Sequence, residues 1–195
     1  MNAWILTALL PLASGGDPFL EPPPAAPLLF VRVVGPAGAQ VTVRPATPEA
    51  RVFPTPTVIG FRPGYRYRLQ LSNLPEQPGR VVSPSIDVLS TLHVPPGLRA
   101  EDFPATLRIS VDDLQQIAAG ALITKVIYLE DPYQAPALNS TPEQPVEFDV
   151  MRGFDPLTEA RVRGRPMAIV RFGERDVPPF ELAMLAVPGT VLAPG

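Results

Sequence analysis

Proline is the residue that most constrains the fold of this chain, with 28 prolines among 195 residues. Each proline removes a backbone donor and clashes with the preceding helical turn, so long helices are excluded over most of the sequence. Hydrophobic residues make up 46% of the chain, which is enough apolar material for one core. We therefore predict a single mainly β domain, an immunoglobulin-like antiparallel β-sandwich with one or two short helices.

Charge and cysteine content limit the kinds of partner the protein can bind and the interactions that can stabilise it. The net charge of -3 provides no basic field of the kind that neutralises phosphates, which argues against nucleic acid as a partner. Lys125 is the single lysine among 16 basic residues, a bias typical of a GC-rich genome. Because the chain has no cysteine, disulfides and lipid attachment at a leader cysteine are excluded.

The first 15 residues have the pattern of a secretory signal peptide. An apolar run at residues 3–10 is followed by Pro11 and the small residues Ala13-Ser14-Gly15-Gly16, which predicts cleavage after about Gly15. The run is shorter than the ~20 apolar residues that span a bilayer, so no transmembrane segment is expected. No Lys or Arg precedes the run, and a buried first strand or a frayed terminus is the alternative. Export to the periplasm, cell envelope or exterior is the prediction.

Composition divides the rest of the chain into three parts. Residues 16–27 contain five prolines and favour extended polyproline II, as in a stiff spacer. Residues 28–187 are predicted to form the β-sandwich, and residues 188–195 a flexible tail.

Strands are predicted from two-residue alternation of apolar and polar side chains. In 64–72, for example, Tyr65, Tyr67, Leu69 and Leu71 share one face of a half-buried strand. The run 29–34 is apolar on both faces and predicts an inner strand, whereas Pro54 and Pro56 make 51–60 an irregular or edge segment. The remaining predicted strands are 41–43, 86–93, 107–111, 121–129, 146–151, 167–172 and 180–187.

Two segments break the strand pattern. Ser110 and Asp113 have the spacing of a capping box and predict a helix of two to three turns that ends at Gly120. Asp155 followed by Pro156 predicts a second, single short helix that ends by Gly164.

These segments carry a family resemblance. Residues 112–120, 123–132, 155–157 and 164–169 resemble uncharacterised exported proteins of planctomycete-type bacteria, over roughly Phe61 to Gly173. The resemblance implies an exported single-domain protein and brings no known activity with it. Arg161-Val162-Arg163 departs from the more regular amphipathic turn that the resemblance implies there.

No motif predicts catalysis or a cofactor. His93 is the only histidine, and alternation places Asp87 and His93 opposite Ser90, which excludes a local Ser-His-Asp triad. A triad assembled across strands is the alternative to an ordinary exposed histidine. Without cysteine, one histidine cannot complete a usual zinc site. No catalytic, cofactor-binding or metal-binding residue is therefore predicted.

Acidic pairs and the lone lysine are the remaining candidates. Asp112-Asp113 and Glu130-Asp131 could supply oxygen ligands to a cation such as calcium, although helix capping and a strand-ending turn explain them better. Lys125 could form an internal amide bond with Asn73 or Asn139, or its side chain could point to solvent.

Two functional hypotheses follow. The first is a noncatalytic envelope or surface domain that contacts another protein or a wall polymer through edge strands or exposed aromatic and Arg residues. The second is a hydrolase-type enzyme with a site of acidic residues and His93 at one end of the sandwich. The fold alone supports neither, because sandwiches host both roles. The first is the prediction, because the leader, the spacer and the strand pattern favour it and no catalytic motif is present.

Overall fold

A computed structural model describes residues 27–44, 47–75, 77–133, 141, 144–151, 153–173 and 191–192. Within these ranges the chain forms ten strands, two α-helices and a short 3-10 turn at Ala100–Asp102. The strands are β1 Leu29–Val34, β2 Gln40–Val43, β3 Arg51–Pro54, β4 Thr57–Phe61, β5 Arg66–Ser72, β6 Ser85–Val88, β7 Ala105–Arg108, β8 Ile123–Glu130, β9 Gly164–Phe172 and β10 Val191–Leu192. The helices are α1 Val111–Ala118 and α2 Pro156–Arg163.

The strands form two sheets, so the protein is a β-sandwich, as predicted. One sheet has four strands in the order β10-β4-β1-β7, and the other has six in the order β3-β2-β5-β6-β9-β8. All pairs are antiparallel except β1 and β7, which are parallel. The long connection between β1 and β7 allows the crossover that a parallel pair needs. The immunoglobulin-like topology stays a prediction.

The core lies between the sheets and includes one face of α1. Val31 and Ile59 from the four-stranded sheet belong to the same buried cluster as Leu69 and Val170 from the six-stranded sheet. Leu114 and Ile117 of α1 belong to the same cluster. The apolar alternation of the strands therefore produces one continuous core.

Several predicted elements are confirmed. In β5, Tyr67, Leu69 and Leu71 are buried while the intervening residues are more exposed. Ser110 caps α1 through a complete capping box, and Asp155 caps α2 with Pro156 in the first turn. Gly120 follows α1 with a φ of 86°, the left-handed conformation expected of a helix stop.

The strand predicted over 86–93 is too long. The amides of Leu89 and Ser90 both donate to the carbonyl of Met167, at 2.8 and 3.2 Å. Two consecutive amides on one carbonyl break the regular ladder, so β6 ends at Val88. Similarly, the predicted strand 107–111 ends at Arg108 because Ser110 begins the cap of α1.

Other boundaries also differ from the sequence prediction. Residues 51–60 contain two strands, of which β3 is an edge but β4 lies between β10 and β1. Pro54 ends β3 and Pro56 lies in the connection, so β4 itself is free of proline. Residues 146–151 form no strand, because they find no ladder partner in the described part of the chain.

Both ends of the chain bear on the predicted domain limits. Val191–Leu192 pairs with β4, so the sandwich extends into the range 188–195 that was predicted to be a flexible tail. The signal peptide, nearly all of the spacer and the predicted strand 180–187 lie outside the described residues.

Candidate functional site

Lys125 faces the interior of the sandwich at the edge of the six-stranded sheet. The register pairs Lys125 with Val170, which is fully buried. Opposite residues of an antiparallel pair share a face, so Lys125 lies on the core side of β8 with Ile123 and Ile127. The alternative in which Thr124, Val126 and Tyr128 form the inward face is therefore wrong for the first half of the strand.

The Lys125 ammonium group joins three parts of the chain. Its Nζ donates to Asp113 Oδ2 at 2.8 Å and to the backbone carbonyl of Arg108 at 3.0 Å, and it lies 3.5 Å from Glu147 Oε1. Arg108 ends β7, which is the edge strand of the other sheet. Lys125 thus connects the two sheets where β7 and β8 meet. We call Lys125, Asp113 and Glu147 the lysine cluster.

The capping box of α1 fixes the position of Asp113. The Ser110 amide donates to Asp113 Oδ2 at 2.7 Å, and the Asp113 amide donates to Ser110 Oγ at 3.0 Å. Asp112, by contrast, is exposed. Negative charge in the first turn is favoured by the helix dipole, so capping accounts for both carboxylates as predicted.

The second acidic pair lies too far away to complete a cation site with the first. Glu130 is five residues beyond Lys125 on β8, which is roughly 16 Å along an extended strand. Asp131 Oδ1 accepts the amide of Tyr133 at 3.0 Å, the turn that was predicted before Pro132. Among the described residues, no three acidic or histidine side chains converge as a metal site would require.

The residues considered for a triad do not meet. Ser90 Oγ donates to the Pro166 carbonyl at 3.0 Å, and Asp87 binds arginines on the outer face of the sheet. His93 is exposed in the segment after β6 and forms no hydrogen bond or ion pair with another described residue. A cavity of about 320 Å³ lies between residues 34–36 and 108–112, and its only acidic residue is Asp112.

Asp87 is held by two arginines on the outer face of the six-stranded sheet. Arg66 donates to both carboxylate oxygens, at 2.5 and 3.1 Å, and Arg171 donates to Oδ2. Burial alone raises the pKa of Asp87, but the hydrogen bonds and positive charges of the two arginines together hold its pKa below the ordinary value. We call these three residues the arginine clamp.

The group of exposed apolar side chains around α2 is the second surface feature. Phe148, Met151, Phe154 and Val162 are between 40% and 74% exposed, and all lie on α2 or in the segment leading to it. Arg163 of α2 lies over the Phe148 ring, which places Phe148 beside the end of α2 that carries Val162. Exposed apolar side chains that form a contiguous patch mark interaction sites on many proteins. We call these four residues the α2 surface.

Arginines near the α2 surface are engaged within the chain. Arg163 donates to Glu159 Oε2 at 2.8 Å, and its guanidinium lies 5.3 Å from the centre of the Phe148 ring. Arg165 donates to the Thr91 carbonyl at 3.1 Å. The Arg161, Arg163, Arg165 group is therefore not a free basic patch.

The end of α2 opposite these arginines is fixed by its N-cap. Asp155 accepts from the amides of Leu157 and Thr158, at 3.3 and 3.0 Å. The Thr158 hydroxyl also donates to this carboxylate, and these hydrogen bonds lower the pKa of Asp155. The cap therefore holds the start of the helix beside Phe154.

Sequence reasoning missed the arginine clamp and Glu147. The outward position of Arg66 follows from alternation in β5, but its pairing with Asp87 depends on which strands are neighbours. Arg171 lies 84 residues from Asp87, so no local pattern joins them. Glu147 lies in a segment predicted as a strand, and no sequence pattern indicated that its side chain would lie near Lys125.

Comparison with known proteins assigns no family to this chain, so its class is known only from its fold. No family model, no curated protein and no solved structure matches the chain. The resemblance to exported proteins of planctomycete-type bacteria therefore stays a prediction. No helix in the described ranges is long and apolar enough to cross a membrane.

Proposed function

We propose that this protein is an exported, noncatalytic envelope or surface domain that binds another protein through the α2 surface. The exposure of Phe148, Met151, Phe154 and Val162 is the observation that carries the proposal. Leaving large apolar side chains in water is unfavourable, by about 25 cal/mol for each Å² of apolar surface, and a partner that covers them recovers this free energy.

The chemistry of the α2 surface favours a protein over a wall polymer. Phe148 and Phe154 carry rings that can stack on a sugar, but the Arg163 guanidinium already lies over the Phe148 ring. Met151 and Val162 offer neither aromatic rings nor hydrogen-bond donors to a sugar. The neighbouring Arg163 and Arg165 are already engaged within the chain. Apolar contact with a protein surface uses the side chains that remain.

Edge strands are a weaker basis for the interaction. β3 ends at Pro54, and β8 carries the inward-facing Lys125. Proline and inward-pointing charges are devices by which proteins prevent strand addition at sheet edges. The α2 surface has no comparable obstacle.

The binding proposal is tested by crosslinking in the envelope fraction of the native host and recovery of the attached partner. Met151→Ser and Val162→Ser, made together, should reduce recovery of one defined protein at least several-fold. Leu98→Ser is the matched control, because Leu98 is also half exposed but lies in the connection between β6 and β7. Equal recovery from both variants, or recovery of glycan alone, contradicts the proposal.

Export has a separate test. Amino-terminal sequencing of the protein from its native host should begin after about Gly15. A mature chain that starts at Met1 in the cytoplasm contradicts export, whatever the crosslinking shows.

A further inference from the structure

We propose that the lysine cluster forms an internal amide crosslink, in which Lys125 Nζ is joined to Asp113 Cγ and Glu147 transfers the protons. Of the two acceptors that the sequence suggested for Lys125, Asn73 is bound elsewhere. Asn73 Nδ2 donates to the Gly38 carbonyl at 2.6 Å, and Asn139 lies outside the described residues.

The reacting atoms are already close together. Nζ lies 2.8 Å from Asp113 Oδ2, and Cγ is one bond from that oxygen. Nζ therefore lies within about 4 Å of Cγ, close to the ~3–3.5 Å separation of reacting atoms at which holding the partners together removes much of the entropic barrier. β8 and the first turn of α1 hold the two side chains from opposite sides, so the approach needs no movement of a loop.

The backbone provides stabilisation for the reaction. Attack of the amine on Cγ places negative charge on the carboxyl oxygens. The Ser110 amide already donates to Oδ2 at 2.7 Å, and the positive end of the α1 dipole lies at the same position. After the reaction Oδ2 becomes the amide oxygen and can keep this hydrogen bond.

The condensation balances without any further reagent. The Nζ–Cγ bond forms and the Cγ–Oδ1 bond breaks. Two of the three protons of the Lys125 ammonium group leave with Oδ1 as one water molecule. Glu147 Oε1, at 3.5 Å from Nζ, is the group that accepts a proton from nitrogen and delivers it to the departing oxygen.

The surroundings favour the amide over its hydrolysis. The side chains of Lys125 and Asp113 are only 21% and 12% exposed, which limits the access of water to the bond. Glu147 is 43% exposed, which leaves a path for the released water. The crosslink would close residues 113–125 into a loop and fix β8 to α1 in a chain that has no disulfide.

The single lysine makes the test direct. A lysine-specific endoprotease cuts the denatured, unmodified full-length chain once, after Lys125. If the crosslink forms, the folded wild-type protein, once denatured, resists this cut, and its intact mass is lower by one water. Tandem mass spectrometry should then identify a branched peptide that joins Lys125 to Asp113.

Variants separate the crosslink from other losses of water. Asp113→Ala should have the mass calculated from its own sequence, with no loss of water, and should be cut fully. Glu147→Gln, which changes a more exposed side chain, should also be cut, at least ten-fold faster than wild type. A succinimide at Asp113 would lower the mass but leave Lys125 open to cleavage. Wild-type protein that is folded and cut to completion overturns the proposal, and a fully crosslinked Glu147→Gln overturns the role of Glu147.

Discussion

Replacing Asp87 with Asn tests whether the arginine clamp stabilises the sandwich through charge. The substitution keeps the shape of the side chain but removes the negative charge that separates Arg66 from Arg171. The clamp connects β5, β6 and β9, three neighbouring strands of the six-stranded sheet. Its loss should therefore lower the free energy of unfolding of the whole domain.

The size of the effect follows from the contacts. Hydrogen bonds to charged groups contribute about 1.5–3 kcal/mol each. Arg66 is 57% exposed, however, so solvent screens its share, and an Asn oxygen can still accept one of the three bonds. We expect Asp87→Asn to cost about 2 kcal/mol at pH 7, measured as a lower urea midpoint with an unchanged m-value.

The dependence on pH distinguishes charge from shape. The pKa of Asp87 is lower in the folded state than its ordinary value, so its contribution is fully present above the unfolded pKa of about 3.9. The contribution is lost as the pH falls through the folded pKa. The difference in the free energy of unfolding between wild type and Asp87→Asn should therefore shrink below about pH 4.

The reasoning would be refuted if this difference in the free energy of unfolding stayed constant from pH 7 to pH 3, or if it were below about 0.5 kcal/mol at pH 7. Asp149→Asn is the matched control, because Asp149 is exposed and should show neither the cost nor its pH dependence.

Three further substitutions and one control test the fold. Ser110→Ala should cost about 1 kcal/mol in urea unfolding, since it removes the capping hydroxyl of α1, and no change would contradict the capping box. Gly164→Ala should cost about 2 kcal/mol or more, because its Cβ would overlap the Leu129 carbonyl. Gly97→Ala meets open space and should cost only about 1 kcal/mol for its φ of 90°, so equal costs would contradict the steric argument. Leu114→Ala should cost about 2–5 kcal/mol, and a smaller loss would mean that α1 is not part of the core.

Local patterns in the sequence were sufficient wherever a single element determines its own structure. Three such predictions depend only on residues close in sequence: the alternation in β5, the capping box of α1 and the Asp-Pro start of α2. Their physical causes, which are side-chain direction and the unpaired amides of a helix start, act over the same short distance. These predictions therefore needed no knowledge of neighbouring strands.

Strand neighbours and strand ends could not be predicted in this way. β6 stops at Val88 because Leu89 and Ser90 share the carbonyl of Met167, which lies nearly eighty residues away. The facing direction of Lys125 likewise follows from its pairing with Val170. Both strand faces of 121–129 were apolar enough to be buried, so the sequence left two alternatives open.

Lys125 connects the edges of the two sheets in a chain that has no cysteine to form a disulfide there. A sandwich whose two sheets meet at edge strands needs a connection there that also prevents strand addition. Before the proposed amide forms, an inward-facing lysine serves both needs, because it binds the Arg108 carbonyl across the seam and places a charge where an added strand would pack. Asp113 and Glu147 lower the electrostatic cost of holding that charge out of water. Removing one carboxylate should therefore weaken the seam more than replacing all three residues with apolar ones of similar volume.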